Sequence, residues 1–158
     1  MEEKIVNYRY KLGGIDIIEK SLFKYSLKED VQFNFELKTQ SLVDDSKDLI
    51  VILVLVGIKK TGEPELLGKI LIGFGYIVEN LKDTFEKNEK NLYVIPQDFE
   101  NLLKAISIST TRGIMYSEFR GTYLHTAVLP IIFPDTLKPV AENIVEIVDG
   151  KVVHNVKG

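Results

Sequence analysis

Cysteine is absent from the 158-residue sequence. Disulfides, thiolate nucleophiles and cysteine-held zinc or iron–sulfur clusters are thereby excluded, and the absence suits a reducing compartment. Histidine is nearly as scarce: only His125 and His154 occur, far apart and without ligand spacing, so no transition-metal site is expected. No excess of one charge sign is present either, since 20 basic residues against 23 acidic ones leave a net charge of −3. That balance gives no electrostatic footprint for nucleic acid or anionic lipid. Long apolar runs are missing too. The strongest, Leu49 to Val56, is eight residues, whereas a membrane-spanning helix needs roughly 20. The start of the chain, Met1-Glu2-Glu3-Lys4-Ile5-Val6-Asn7-Tyr8, is polar and carries no export signal. No Asn-x-Ser/Thr acceptor occurs. The expectation is a cytoplasmic protein with neither nucleic acid nor direct membrane insertion among its interactions.

What is present describes one globular domain: 45% apolar and 27% charged residues exclude wholesale disorder. Val31, Phe33, Phe35 and Leu37 alternate with Gln32, Asn34, Glu36 and Lys38, the period of a half-buried strand. Asp44 to Asp48 reads as a solvated turn. The Val- and Ile-rich stretch that follows, to Lys59, predicts a strand covered on both faces. Lys60 to Pro64 makes the next reversal. A third strand over Leu66–Val78 puts Ile70, Ile72, Phe74, Tyr76 and Val78 on one face, and Gly68, Gly73 and Gly75 interrupt the other. Those glycines suggest a bulge or the close approach of another backbone. Upstream, Ile15, Ile17, Ile18, Leu22 and Phe23 suggest an earlier, less regular strand after Gly13-Gly14. Short connections make an antiparallel meander the economical topology.

The second half changes period. Lys82 to Asn91 reads as an exposed loop. Pro96 and Asp98 then favour a helix start, and Phe99, Leu102, Leu103 and Ile106 form one apolar stripe. The helix extends to Thr110–Arg112, or on to Met115 or Phe119 despite Gly113. Leu129-Pro130-Ile131-Ile132-Phe133-Pro134 reads as an extended crossover. Asp149-Gly150 between Val-rich segments signals a hairpin, with a frayed tail as the competing reading. The fold class is α+β: a four-stranded antiparallel meander sheet packed by one long helix and a C-terminal segment. It forms a single domain over 1–158, with the sheet at about 8–79, a loop at 80–95, helix and crossover at 96–137, and hairpin or tail at 138–158.

Catalytic chemistry finds little support. Gly62 to Lys69 departs from a phosphate loop in spacing, in Ile70 where a hydroxyl is needed, and in leading to a strand. Gly73-Phe74-Gly75 lacks the third glycine of a dinucleotide site. The hydroxyls of Ser107, Ser109, Thr110 and Thr111 have no histidine nearby to act as base. Asp44, Asp45 and Asp48 lack the glycine of a calcium loop. No catalytic, cofactor-binding or metal residues are assigned. One helix covers only part of a four-stranded sheet, so apolar surface is left over for another subunit or an apolar ligand.

The order of these pieces resembles the SecB-like chaperone family. The residues that carry the likeness are Ile15-Asp16-Ile17-Ile18-Glu19-Lys20-Ser21-Leu22-Phe23, the stretch Phe74-Gly75-Tyr76-Ile77, the helix from Ile95-Pro96 through Thr111-Arg112-Gly113, and Leu129-Pro130-Ile131-Ile132-Phe133. The likeness spans roughly Tyr8 to Leu137. It implies an ATP-independent holdase that keeps unfolded polypeptides in apolar grooves and assembles as a homo-oligomer, a dimer or a tetramer. Its export members hand clients to SecA, and other relatives guard the antitoxin of a toxin–antitoxin pair. By position the groove residues would be Phe74, Tyr76, Ile77, Leu129, Ile131 and Phe133. Two features depart from the export members: the longer segment Ile114 to Val128, and a strand-like C-terminus after Pro139. A structural adaptor for one folded partner, or a carrier of a small apolar ligand, would use the same leftover surface.

Overall fold

The structure, a computed structural model, describes residues 7–23, 31–132, 142–148 and 151–153. Four long strands come first: β1 (Tyr10–Leu22), β2 (Phe33–Asp44), β3 (Leu49–Lys60) and β4 (Leu66–Val78). A short helix α1 (Leu81–Thr84) precedes the long helix α2 (Gln97–Glu118). Two more strands, β5 (Glu142–Val148) and β6 (Lys151–Val153), lie near the C-terminus. All pairings are antiparallel, in the order β1-β4-β3-β2-β5-β6. This is an α+β architecture, with α2 packed on one face of the sheet. Among the described residues no helix is long and apolar enough to cross a membrane.

Strand order corrects the expected meander. β2, β3 and β4 follow one another through tight turns, but β1 lies beside β4, from Tyr10↔Val78 to Leu22↔Gly68. This is a Greek-key arrangement. Length explains why it is open to β1. Crossing from β2 to the far side of β4 covers three interstrand steps of about 4.8 Å, roughly 14 Å. The ten residues at 23–32 can span up to about 33 Å. At the other edge β5 pairs with β2 over Phe35↔Ile147 to Gln40↔Glu142, and β6 pairs with β5. The C-terminal segment thus forms paired strands; Asp149 and Gly150 lie outside the described residues.

The core lies between α2 and one sheet face. Ile50, Ile52, Val54, Val56 and Ile58 of β3 meet Ile70, Ile72, Phe74, Tyr76 and Val78 of β4 there, all buried. Each such side chain contributes about 1.5–3 kcal/mol by leaving water. The helix presents Phe99, Leu103, Ser107, Ile108, Thr111 and Met115 to them. Leu102, expected on this stripe, is instead 43% exposed, and Lys104 is buried. The i, i+4 series Phe99–Leu103–Ser107–Thr111–Met115 sets the buried face, turned slightly from the purely apolar stripe. Its polar members bring their own partners. The Ser41 hydroxyl donates to Glu100 at 2.6 Å, and Glu100 stands 3.3 Å from the Lys104 amine. Ser107 and Thr111 donate to the carbonyls of Leu103 and Ser107.

The helix passes through Gly113 to Glu118, the longer of the two ends the sequence allows. The rest of the unusual 114–128 segment, from Phe119 on, then forms turns that clamp the sheet. The Tyr123 hydroxyl reaches the carbonyls of Phe23, at the end of β1, and Leu67, on β4. Gly68 lies on the helix face of β4 with Ile70 and Ile72, not on the face of Gly73 and Gly75. There an added Cβ would sit 2.5 Å from Cδ1 of buried Leu124 and 3.0 Å from the Ser21 carbonyl, so a side chain would force its neighbours to shift.

Candidate functional site

The face of the sheet away from α2 differs from expectation. β3 was to be covered on both sides, yet Leu49, Val51, Leu53 and Leu55 stay half-buried on this far face. Among the described elements α2 packs chiefly on β3 and β4, and from the other side. A shallow apolar groove of about 430 Å³ runs over Leu49, Val51 and Leu53 of β3, Gly73, Gly75 and Ile77 of β4, and the 13–18 stretch of β1.

Glycine and bulges shape its floor. Gly73 and Gly75 on β4 have no side chain to raise, so Ile18 and Leu53 lean over the first and Leu49 over the second. The register of β1 on β4 slips between Leu12 and Gly14 and again between Ile17 and Glu19. Beside Gly73 and Gly75 the extra residues sit on β1, which bends where they are inserted; the bulge expected on β4 itself lies at Leu67, beside Gly68 and opposite β3. At the second slip the Ile18 side chain is delivered to the far face, 53% exposed.

β1 is also the edge of the sheet. It is 13 residues long, and among the described residues nothing pairs with its outer side. Leu12, Ile15 and Ile17 share register with buried Tyr76, Phe74 and Ile72, on the helix side, yet they stay 42%, 44% and 39% exposed. Apolar side chains thus project from both faces of an open edge. Natural edges are usually short, charged, bulged or interrupted by proline; this one has charges and two bulges, but it is long and large apolar side chains stay exposed along it.

Charges at its far end are mutually satisfied. Glu19 meets Lys69 of β4 at 2.8 Å and accepts from Ser21 at 3.1 Å, contacts that hold its carboxyl below the usual carboxylate range. Lys20 pairs with Glu118 of α2 at 2.9 Å.

The five described residues of the six assigned from the sequence do not come together on one surface. Ile77, 38% exposed, lines the far-face groove. Ile131, 69% exposed, lies in the crossover beside Val128, which helps to line a separate hollow with Phe33 and Phe35. Phe74, Tyr76 and Leu129 are buried in the core and offer no surface to a ligand. Phe133 lies outside the described residues. What sequence reasoning missed is the row Leu12, Ile15, Ile17 and Ile18, whose signal was apolar residues on both strand faces around a glycine pair.

Of the hydroxyls on α2, those of Ser107, Thr110 and Thr111 donate to helix carbonyls, and Ser107 also meets Tyr76. The His125 ring lies 2.9 Å from the Thr122 carbonyl, in an exposed turn; His154 lies outside the described residues. Among the described residues no three His, Cys, Asp or Glu side chains gather where they could hold a metal ion. Compared with protein-family models, curated proteins and solved structures, the chain matches none.

Proposed function

We propose that this chain is a polypeptide-holding chaperone, in keeping with its SecB-like resemblance. The observation that carries the reading is β1: an unpaired edge, 13 residues long, with large apolar side chains exposed on both faces and a groove beside it. An extended non-native segment can hydrogen-bond to such an edge through its backbone, whatever its sequence, while apolar side chains settle on the far face. Tolerance of this kind suits a holdase better than a binder of one shape. The same edge serves assembly, so the chain acts as a homo-oligomer, a dimer or tetramer, in the cytoplasm. Its clients are unfolded or partly folded chains, either export precursors passed to SecA or an antitoxin.

The test is suppression of aggregation. A chemically denatured client diluted into stoichiometric protein should scatter light later and less than without it, with no nucleotide added. An unchanged scattering curve overturns the proposal. Recovery of a single native partner, with unfolded clients ignored, would instead make the chain an adaptor.

A further inference from the structure

The seam between β2 and β5 is matched at some positions and mismatched at others. The core-side residues Phe35 and Leu37 stand opposite Ile147 and Val145, apolar against apolar. Between and beside them Lys38 stands opposite Ile144, and Glu36, whose carboxylate lies 3.1 Å from the Lys59 amine, stands opposite Glu146. Like charges in directly opposed positions weaken an antiparallel pair. In the middle of the seam the buried Thr39 hydroxyl has no partner among the described residues. The pairing stops at Gln40, so among the described residues Ser41 to Asp44 of β2 carry no strand on their outer side. α2 packs chiefly on β3 and β4, and β6 rides on β5, which leaves the register of β5 to be set along β2.

We infer that β5 is a sliding cover with two registers on β2, the described one and one displaced by two residues toward Asp44. A slip of one residue would exchange the faces of β5, whereas a slip of two keeps both its faces and its hydrogen-bond ladder. Counted from the described pairs, the displaced register sets Glu146 opposite Lys38, Ile147 opposite Leu37 and Asn143 opposite Ser41. The opposed glutamates are gone and an opposite-charge pair replaces them. In return Phe35 loses its apolar match with Ile147, so each register holds what the other gives up. Sliding moves the cover along the second edge of the sheet, closing over Ser41 and Leu42 and uncovering Phe35. The device stands apart from polypeptide holding and needs no client to operate.

The chain has no cysteine, so disulfide trapping reads the register on a clean background. The full chain is made with Gln40→Cys plus Glu142→Cys, positions opposed in the described register. A second version carries Gln40→Cys plus Ile144→Cys, opposed only in the displaced one. In the described register this second pair is a diagonal with Cα atoms about 7–8 Å apart, too far to bridge without movement of the strand. In a glutathione buffer both pairs should close, the second no more than about tenfold more slowly. Adding Glu146→Lys sets a base opposite Glu36 in the described register and opposite Lys38 in the displaced one. It should slow closure of the second pair about fivefold without slowing the first. Closure of the first pair also reports that each variant folds with β5 on β2. A second pair that closes more than tenfold more slowly, or at a rate indifferent to Glu146→Lys, overturns the inference. Failure of the first pair to close takes β5 off β2 and overturns it as well.

Discussion

The Tyr76 ring fills the core, and its hydroxyl meets Ser107 of α2 at 2.8 Å. Burial pushes the pKa of that hydroxyl above its ordinary value of 10. A raised pKa means the folded chain holds its proton where the unfolded chain gives it up. The contribution is fully present below pH 10 and is lost as pH climbs from the unfolded value toward the folded one. Tyr76→Phe should therefore lower stability by about 1 kcal/mol at neutral pH. It should also flatten, though not abolish, the alkaline fall, because Tyr93 and Tyr123 are shifted in the same direction. Urea unfolding at pH 7 and above pH 10 checks both limbs; an alkaline fall as steep as in the unaltered chain would refute the assignment. The residue also marks a limit of legibility. Alternation placed Phe74 and Tyr76 together on one face, as the structure does, but the period of two does not say which face a helix will claim. They were taken for groove walls and are core.

Among the elements, β2, β3, β4 and α2 were readable because each has an uninterrupted period and turn residues at its ends. β1 was blurred by its two slips, since each bulge transfers the alternation from one face to the other. Its neighbour was not legible either: local pattern identifies a strand, whereas pairing with β4 instead of β2 depends on a connection long enough to allow both. The helix stripe was half right. Apolarity chose Leu102 over Lys104, while packing accepted Lys104 because Glu100, one turn earlier, accompanies it. If β1 is the assembly edge, a charge on it should act on assembly and spare the fold. Ile15 is 44% exposed on the helix side of β1, so Ile15→Lys should change monomer stability by no more than about 0.5 kcal/mol. A lysine there would be brought close to its own symmetry mate or to a client's apolar side chain. Light scattering should then report a mass falling toward the 18.0 kDa of one chain, with an unaltered circular dichroism spectrum. An unchanged oligomer would remove β1 from the interface.

For the whole molecule, the two edges of the sheet are unequal. One is β1, long and unpaired; the other ends in β6, only three residues, which shields β2 behind β5. Short outermost strands offer few backbone groups to a neighbour. A chain with one adhesive edge can pair with a copy of itself about a two-fold axis and then stop, since the pairing uses both free edges. A chain with two adhesive edges can add copies without end. Removing residues 142–158 converts the first kind into the second. β2 would keep its full pairing with β3, from Phe33↔Lys60 to Asp44↔Leu49, and the described core under α2 is built from Phe35 through Ile132. The four-stranded sheet and helix should therefore persist, with the six residues of β2 that β5 covered, Phe35 to Gln40, laid open as part of a second free edge. The full chain should reach a constant mass as concentration rises, whereas the shortened chain should keep growing and finally scatter. If the shortened chain, with its circular dichroism intact, levels off at the same mass, then β5 and β6 do not guard that edge and assembly is limited by something other than the count of free strands.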